Sequence, residues 1–262
     1  MVRGLYTGCT GMTNEQNRMD ILTNNLANAT TVGFKKEGST SEAFSSVLAY
    51  KIKDTTEIGA GNRNIGSLSL GVKIGEGYTD YTQGSFQSTE NTYDLALSGD
   101  GFFSVEFTNK AGETSTKYTR AGTFTVTQEG YLTTTEGDYV LGQNANGATQ
   151  RIQLDTKAEV VIDQSGTIFE NGTEVGKLLI TDFEDYNYLE HYGENYYQPV
   201  EGAEITESSA IVYQGYLEAS NVSVVQEMVD MISVTRAYET NQKVIQTCDS
   251  TLEIAVNQLG KV

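Results

Sequence analysis

The sequence predicts an α+β protein in which long N- and C-terminal helices pack as a coiled-coil-like hairpin around a β-rich middle domain. Two observations support this prediction. Apolar residues recur every seven positions at both ends of the 262-residue chain, and the middle alternates between short apolar and polar runs separated by glycine turns. A chain of this length can bury a substantial core.

The N-terminal helix is predicted from residue 5 to about residue 31. Apolar residues recur every seven positions in this stretch, and positions three or four residues further on, which we call the half-steps, belong to the same stripe. The seven-residue series is Leu5, Met12, Met19 and Leu26, and the half-steps are Cys9, Gln16 and Leu22. The β-branched run before Gly33 is expected to end the helix.

The C-terminal helix is predicted from about residue 218 to residue 259. Its strict seven-residue series is Val224, Met231, Tyr238, Ile245, Leu252 and Leu259. Ser220 or Asn221 is expected to cap the free N–H groups at its start. A single stripe also fits a helix lying on a globular core. Because both termini carry one, we expect the two helices to pair.

Two cysteines lie on these stripes, Cys9 near the start of the chain and Cys248 near its end. The pair forms no disulfide framework and has no metal-ligand spacing. Both are interpreted as small buried hydrophobic residues. A disulfide between them remains open, because the helices that carry them are expected to pair.

The middle of the chain is predicted to be β-rich. Residues 167–175 alternate around Asn171-Gly172, the preferred pair for a type I′ hairpin turn, and residues 118–132 form a second strand pair around a glycine turn. Residues 99–101 are interpreted as a Gly-Asp-Gly turn. The resulting boundaries are 1–34 for the N-terminal axial helix, 35–75 for an extended connector, 76–216 for the β-rich outer domain and 217–262 for the C-terminal axial helix.

Charge excludes one class of partner. The formal net charge is −18, whereas nucleic-acid binding requires clustered Lys and Arg, so no nucleic acid is expected. No apolar run approaches the roughly 20 residues of a membrane-spanning helix, so no membrane insertion is predicted. The first eight residues lack the apolar core of a secretory signal, and no cleavable signal is predicted.

No residue pattern indicates catalysis. The acidic pairs Asp94 with Asp100 and Glu184 with Asp185 have no sign of meeting across a substrate cleft. His191 is the single histidine, so neither a histidine cluster for a metal nor a serine hydrolase triad with a Gly-x-Ser-x-Gly elbow is indicated. We therefore predict no catalytic, cofactor-binding or metal-binding residues, and no enzyme activity.

Both ends of the chain carry recognisable motifs. The N-terminal motif comprises Asn24, Asn25, Leu26, Asn28, Gly33, Phe34 and Lys35, and the C-terminal one comprises Ser220, Asn221, Val222 and Arg236. Together they resemble the signatures of flagellar rod and hook proteins. Residues 99–105 and 118–124 resemble the shared middle segments of that family, so the likeness spans nearly the whole chain.

The resemblance implies a structural subunit of the bacterial flagellar basal-body rod, the drive shaft, which self-assembles into a tubular helical filament through its terminal helices. It implies a location in the cell envelope outside the cytoplasmic membrane and export by the flagellar type III apparatus. Implied partners are further copies and other flagellar rod and hook proteins, with peptidoglycan or ring proteins as further candidates. A non-flagellar adhesin or fibre protein with a β-rich domain is the alternative, but it would not require heptads at both termini.

The type of rod subunit is also indicated. Length favours a rod subunit over the longer hook protein. Residues 214–218 and the C-terminal stretch favour the distal-rod type, while residues 65–68 with Gly71-Val72 are similar to proximal-rod relatives.

Asn24 and Asn25 invite a hypothesis of their own. An amide offers both donors and an acceptor, so these side chains are candidates for hydrogen bonds to the backbone or to a neighbouring subunit at the helix end. Simple helix capping is the alternative. The sequence does not separate the two.

The heptad series predicts the effect of one substitution. Ile245→Asp places a charge in the apolar seam, so we expect it to abolish incorporation into rods while the β-rich middle stays folded. Purified basal bodies examined for rods would test this, and normal rods built from the variant would contradict it.

Overall fold

The computed structural model describes residues 2–44, 46–51, 63–69, 71–110, 112–144, 147–155, 158–193 and 195–259. Residue contacts divide the chain into two compact units. The helical unit contains Met1–Ala27, Glu37–Asp80 and Ser223–Val262, and the sheet unit contains Asn28–Lys36 and Tyr81–Val222. The predicted α+β class is confirmed, since a helix at each end brackets a β-rich middle.

The helical unit contains helices α1 (Val2–Ala27) and α2 (Val224–Ile254), and a π-helical turn follows α2 at Ala255–Leu259. α1 ends earlier than residue 31, because the chain turns where the Thr31 N–H bonds to the Asn28 carbonyl. α2 begins later than residue 218, because residues 216–218 form a strand. Within the described residues neither helix has an apolar stretch long enough to cross a membrane.

Four strands fall in or beside the range for which the extended connector was predicted. They are β1 (Lys36–Ala43), β2 (Ser46–Lys51), β3 (Arg63–Ser69) and β4 (Val72–Asp80). β1 pairs with β4, and β2 pairs with β3 in antiparallel register. The β1–β4 sheet lies against α1, where the Ser41 hydroxyl accepts a hydrogen bond from the Asn14 amide and Phe44 meets the edge of Tyr6.

The sheet unit consists of short strands and one 3₁₀ turn, Tyr186–Tyr188. The strands are β5 (Phe86–Ser88), β6 (Leu95–Ser98), β7 (Phe102–Thr108), β8 (Thr114–Thr119), β9 (Phe124–Val126), β10 (Leu132–Thr134), β11 (Tyr139–Gln143), β12 (Thr149–Arg151), β13 (Val160–Ile162), β14 (Thr167–Glu170), β15 (Thr173–Leu178), β16 (Ile180–Phe183), β17 (Leu189–Tyr192), β18 (Tyr196–Pro199), β19 (Ile205–Glu207), β20 (Ile211–Gln214) and β21 (Tyr216–Glu218).

β7 lies at the centre of the largest sheet, where it pairs with β8, β11 and β16. Successive side chains of a strand point to opposite faces, so β7 supplies two apolar clusters. Phe103 and Val105 belong to the larger one, which includes Leu95, Leu97 and Phe124. Phe102 belongs to an aromatic cluster on the other face, whose further members are Tyr118, Phe183 and Tyr197. Continuous burial explains why this apolar run forms a central strand.

Three turns that were predicted from the sequence are confirmed. β14 and β15 form a hairpin whose turn residues, Asn171 and Gly172, have φ of 49° and 82°. β9 and β10 pair around a turn containing Gly130, with φ of 88°. The Gly-Asp-Gly turn between β6 and β7 has positive φ at both glycines, Gly99 and Gly101.

The β14–β15 turn offers a clean test of backbone strain. A methyl group at Gly172 would meet nothing within 4 Å, so only the positive φ opposes a side chain there. We expect Gly172→Ala to lower the free energy of unfolding by about 1 kcal/mol. Gly172→Asn is the control, because asparagine tolerates positive φ. Equal losses for the two variants in urea unfolding followed by circular dichroism would contradict the strain argument.

Candidate functional site

The two helices approach closely along a stripe of glycines on α1. Gly4, Gly8 and Gly11 are spaced by four and three residues and therefore share one face. Methyl groups at these positions would lie 3.4, 3.0 and 2.9 Å from side-chain atoms of Cys248, Ile245 and Asn241, in that order. Because the residue numbers rise on α1 while they fall on α2, the helices run antiparallel.

The residues predicted to pack axially are mostly half-buried within the helical unit. Leu5, Met12, Met19, Leu22, Leu26, Met231, Tyr238, Ile245 and Leu252 are all of this kind. Val224 is more exposed, at 38%. The side chain of Leu259 lies outside the described part of the structure. Whether these residues pack against other subunits stays a prediction.

The expected half-steps of the α1 stripe are wrong at two positions. Cys9 and Gln16 are exposed, and the buried neighbour of Cys9 is Gly8. The cause is the close contact at Gly8, which turns the adjacent residue outward. Cys248 is half-buried, and both thiols are free, so the disulfide that the sequence left open is not formed.

Asn25 joins three elements of the helical unit. Its Nδ2 donates to the Glu37 carbonyl at 2.8 Å and to Glu227 Oε2 at 3.2 Å, and its Oδ1 accepts from the Glu37 N–H at 2.9 Å. Asn25 and Glu227 are fully buried. Asn25 therefore bonds to the backbone, as the hypothesis for the two asparagines allowed. Asn24 is exposed.

A buried cluster of charge lies in the sheet unit, where the N-terminal motif meets residues near the C-terminal one. Lys35 Nζ is 2.6 Å from Glu218 Oε1, and Arg120 Nη1 is 3.5 Å from Glu218 Oε2. The side chains of Lys35 and Glu218 are each 1% exposed. Two cations share one carboxylate, so removal of that carboxylate would leave both charges buried.

Each member of this charge cluster also bonds to backbone. Lys35 Nζ donates to the Thr82 carbonyl at 2.9 Å, and the Gly84 N–H donates to Glu218 Oε1 at 3.0 Å. Arg120 Nη2 donates to the Gly99 carbonyl at 2.7 Å, at the Gly-Asp-Gly turn. The cluster therefore fixes two loops at once, the segment of Thr82 and Gly84 and the Gly-Asp-Gly turn.

Backbone groups at the end of the N-terminal motif also form hydrogen bonds with residues in and beside the C-terminal motif. The Gly33 N–H donates to the Glu218 carbonyl at 2.8 Å, and the Lys36 N–H donates to Asn221 Oδ1 at 2.8 Å. Asn221 Nδ2 donates in turn to the Thr82 carbonyl at 3.1 Å. The expected capping of α2 by Ser220 or Asn221 is thus wrong. Its N-cap is Ser223, which makes no side-chain cap bond.

The remaining motif residues differ in environment. Phe34 and Val222 are buried, and Ser220 Oγ accepts a hydrogen bond from the Val222 N–H. Asn28 Oδ1 accepts from the Thr31 hydroxyl at 3.2 Å. Arg236 is exposed on α2.

α2 carries a second apolar surface, which we call the α2 patch. It consists of Val225, Met228, Val229 and Ile232, which are 73%, 49%, 55% and 54% exposed. Their spacing places them on one face, while the buried residues Glu227 and Val234 lie on the opposite one. Exposed apolar side chains grouped on one helix face indicate an interaction surface.

Nothing in the described residues assembles into a catalytic centre. No group of three or more His, Cys, Asp and Glu residues there could hold a metal ion. His191 packs edge-on against Tyr197, with ring centroids 5.4 Å apart. Asp94 accepts a hydrogen bond from Asn91 at 3.1 Å.

Sequence reasoning missed the charge cluster and the glycine stripe. The stripe has a local signal, three glycines at helical spacing at the start of a predicted helix. The charge cluster has only a weak one, because Lys35, Arg120 and Glu218 lie on three widely separated segments of the sequence.

Known protein families match this chain at both ends and in the middle. The family described as flagella basal body rod protein matches residues 5–35, the flagellar hook protein FlgE/F/G D1 domain matches residues 96–170, and the flagellar basal body rod FlgEFG protein C-terminal family matches residues 213–259.

Individual relatives match along the full chain. The flagellar basal-body rod protein FlgG of Bacillus subtilis is 33% identical over 98% of this chain and 99% of its own length. FlgF of Caulobacter vibrioides is 31% identical over 100% of both chains. The flagellar hook-basal body complex protein FlhO of Bacillus subtilis is 30% identical over 100% of both.

The contribution of the buried charge cluster to stability can be compared with that of an exposed ion pair in the same unit. Glu218→Ala should lower the free energy of unfolding by about 3–5 kcal/mol, because two buried cations lose their counterion. The control is Glu106→Ala. Glu106 binds Arg151 at 2.7 Å near the surface, and this hydrogen bond lowers the pKa of Glu106.

The Glu106 pair should contribute at most about 1 kcal/mol, because solvent screens it. Urea unfolding of both variants measures the difference. Equal losses would show that the Lys35–Glu218–Arg120 cluster is no more important than a surface pair.

Proposed function

Because this chain belongs to the family of flagellar basal-body rod proteins, and is therefore a structural protein of the basal body rather than an enzyme, we propose that it polymerises into the rod through its terminal helices. The α2 patch carries this proposal. It is an apolar surface on the helix face opposite the buried residues of α2, so a further subunit is needed to cover it.

The apolar surface is unevenly distributed between the two helices. The exposed residues of α1 are largely polar, among them Thr13, Gln16, Asn17, Asp20 and Thr23. α2 therefore supplies the larger apolar contact. Burying a Val, Met or Ile side chain contributes roughly 1.5–3 kcal/mol when the side chain starts fully exposed, less the cost of ordering it.

An unequal pair of faces favours a head-to-tail contact over a symmetric one. Repeated head-to-tail contacts that do not close into a ring produce an open helical assembly, which is the symmetry of a rod. In this proposal residues 1–34 and 217–262 supply the axial layer, where the seven-residue series pack in coiled-coil fashion, and residues 76–216 form the outer domain.

The subunit's partners follow from its family. Further copies of this chain and other rod and hook components are the proposed contacts, with peptidoglycan or ring proteins as additional candidates around the rod. Several relatives bear the name FlgG, which supports a distal-rod position. Export through the flagellar type III apparatus belongs to the same proposal. The adhesin alternative gains no support, since the family matches cover both terminal segments.

The α2 patch can be disrupted without changing the buried face of α2. We expect the double variant Val225→Lys and Val229→Lys to lose assembly, because two charges would have to be buried at each contact. Added lysines make this acidic chain less negative, so general charge repulsion cannot explain a loss. Sedimentation of the purified chain, followed by electron microscopy of the pellet, measures assembly.

The matched control is Thr247→Lys with Thr251→Lys, which places two lysines at the same spacing on exposed polar positions of α2. Filaments from this variant but not from the patch variant are the expected result. Normal filaments from the patch variant, with circular dichroism unchanged in both, would rule out the patch as the assembly contact.

A further inference from the structure

The environment of Asn25 fixes the orientation of its amide completely. A side-chain amide has two N–H donors and one carbonyl oxygen. At Asn25 one donor meets the Glu37 carbonyl, the other meets Glu227 Oε2, and the oxygen accepts from the Glu37 N–H. The amide therefore bonds to both backbone groups of Glu37, as a neighbouring strand residue would.

These bonds matter because of where β1 lies. β1 and β4 form a two-stranded sheet, and β1 is exposed over its second half. A two-stranded sheet is marginally stable in water without further support. The Asn14–Ser41 hydrogen bond and the Tyr6–Phe44 contact tie the sheet to α1. Asn25 adds two hydrogen bonds at the start of β1, and its other N–H donates to Glu227 of α2.

Glu227 supplies the α2 part of the junction. It lies in the first turn of α2 and is fully buried, so no water replaces its contact with Asn25. Without an acceptor at this position, one N–H of the Asn25 amide would be buried and unpaired. The amide could then recover a partner only by turning away from Glu37.

We propose that Glu227 is a positioning residue that acts through Asn25 to fix the start of β1, so that docking of α2 on α1 also orders the β1–β4 sheet. This inference does not depend on the proposed assembly, because every residue involved belongs to the helical unit of one chain.

Amide hydrogen exchange of the full chain, resolved by NMR, tests the inference. To keep the helices paired in every sample, all chains carry Cys9→Ser and Gly4→Cys. The new thiol would stand beside native Cys248, whose Sγ is 3.4 Å from the position of a β-carbon at Gly4. Oxidation then closes one disulfide at the far end of the seam from Asn25, and mass spectrometry verifies it.

Three substitutions are compared in this background. Glu227→Leu removes the acceptor. Glu227→Gln keeps an oxygen that can accept from Asn25. Val234→Ala is the matched control, because Val234 is the other buried residue of α2 and is absent from the Asn25 junction.

We expect Glu227→Leu to speed exchange of the Glu37 amide about tenfold or more relative to its effect on amides in the middle of α2. Glu227→Gln should restore most of the protection. Val234→Ala should change α2 and β1 amides in equal proportion. An unchanged Glu37 amide in Glu227→Leu, a proportional change throughout the unit, or failure of Glu227→Gln to restore protection would each overturn the inference.

Discussion

The buried carboxylate of Glu218 is the constraint on which the sheet unit depends. It binds Lys35 and lies beside Arg120, and these residues in turn bond to the backbone of loops around residues 82 and 99. A charge at 1% exposure is tolerated only when it is paired and hydrogen-bonded, so the pairing determines which segments must meet. The sheet unit is therefore closed by Lys35 of the N-terminal motif together with Glu218, which lies just before the C-terminal motif, and Arg120 from the middle of the chain.

In the helical unit, too, buried polar groups must be paired, but here the pairing is a hydrogen bond from an amide to a carboxylate and not an ion pair. Asn25 and Glu227 are buried and paired, and the glycine stripe brings α1 against α2 at the other end of the seam. Polar contact fixes one end of the helix pair and shape complementarity fixes the other. The α2 patch takes part in neither arrangement, and its four apolar side chains stay exposed.

The sequence predicted those features that depend on residues close together in the chain. The Asn171-Gly172 turn was predictable because positive φ at two successive residues strongly limits the choice of residue, and the helices were predictable from their period. The start of α2 and the role of Asn221 could not be predicted in this way. Asn221 bonds to Lys36, which lies 185 residues away in the sequence. The helical spacing of the glycines on α1 is a local signal for a close contact, but the residue that makes this contact, Ile245 at Gly8, lies too far along the chain to be predicted from it. Lys35 could be recognised as part of a motif, but its counterion could not.

The separation between Lys35 and Glu218 also has a consequence during synthesis. The two residues are 183 positions apart, and the sheet unit cannot neutralise Lys35 until Glu218 has left the ribosome. At ordinary elongation rates that interval is about 10 to 40 s. During this interval the nascent chain lacks the carboxylate that Lys35 and Arg120 share, so the burial of these two cations with their counterion is a late event of synthesis.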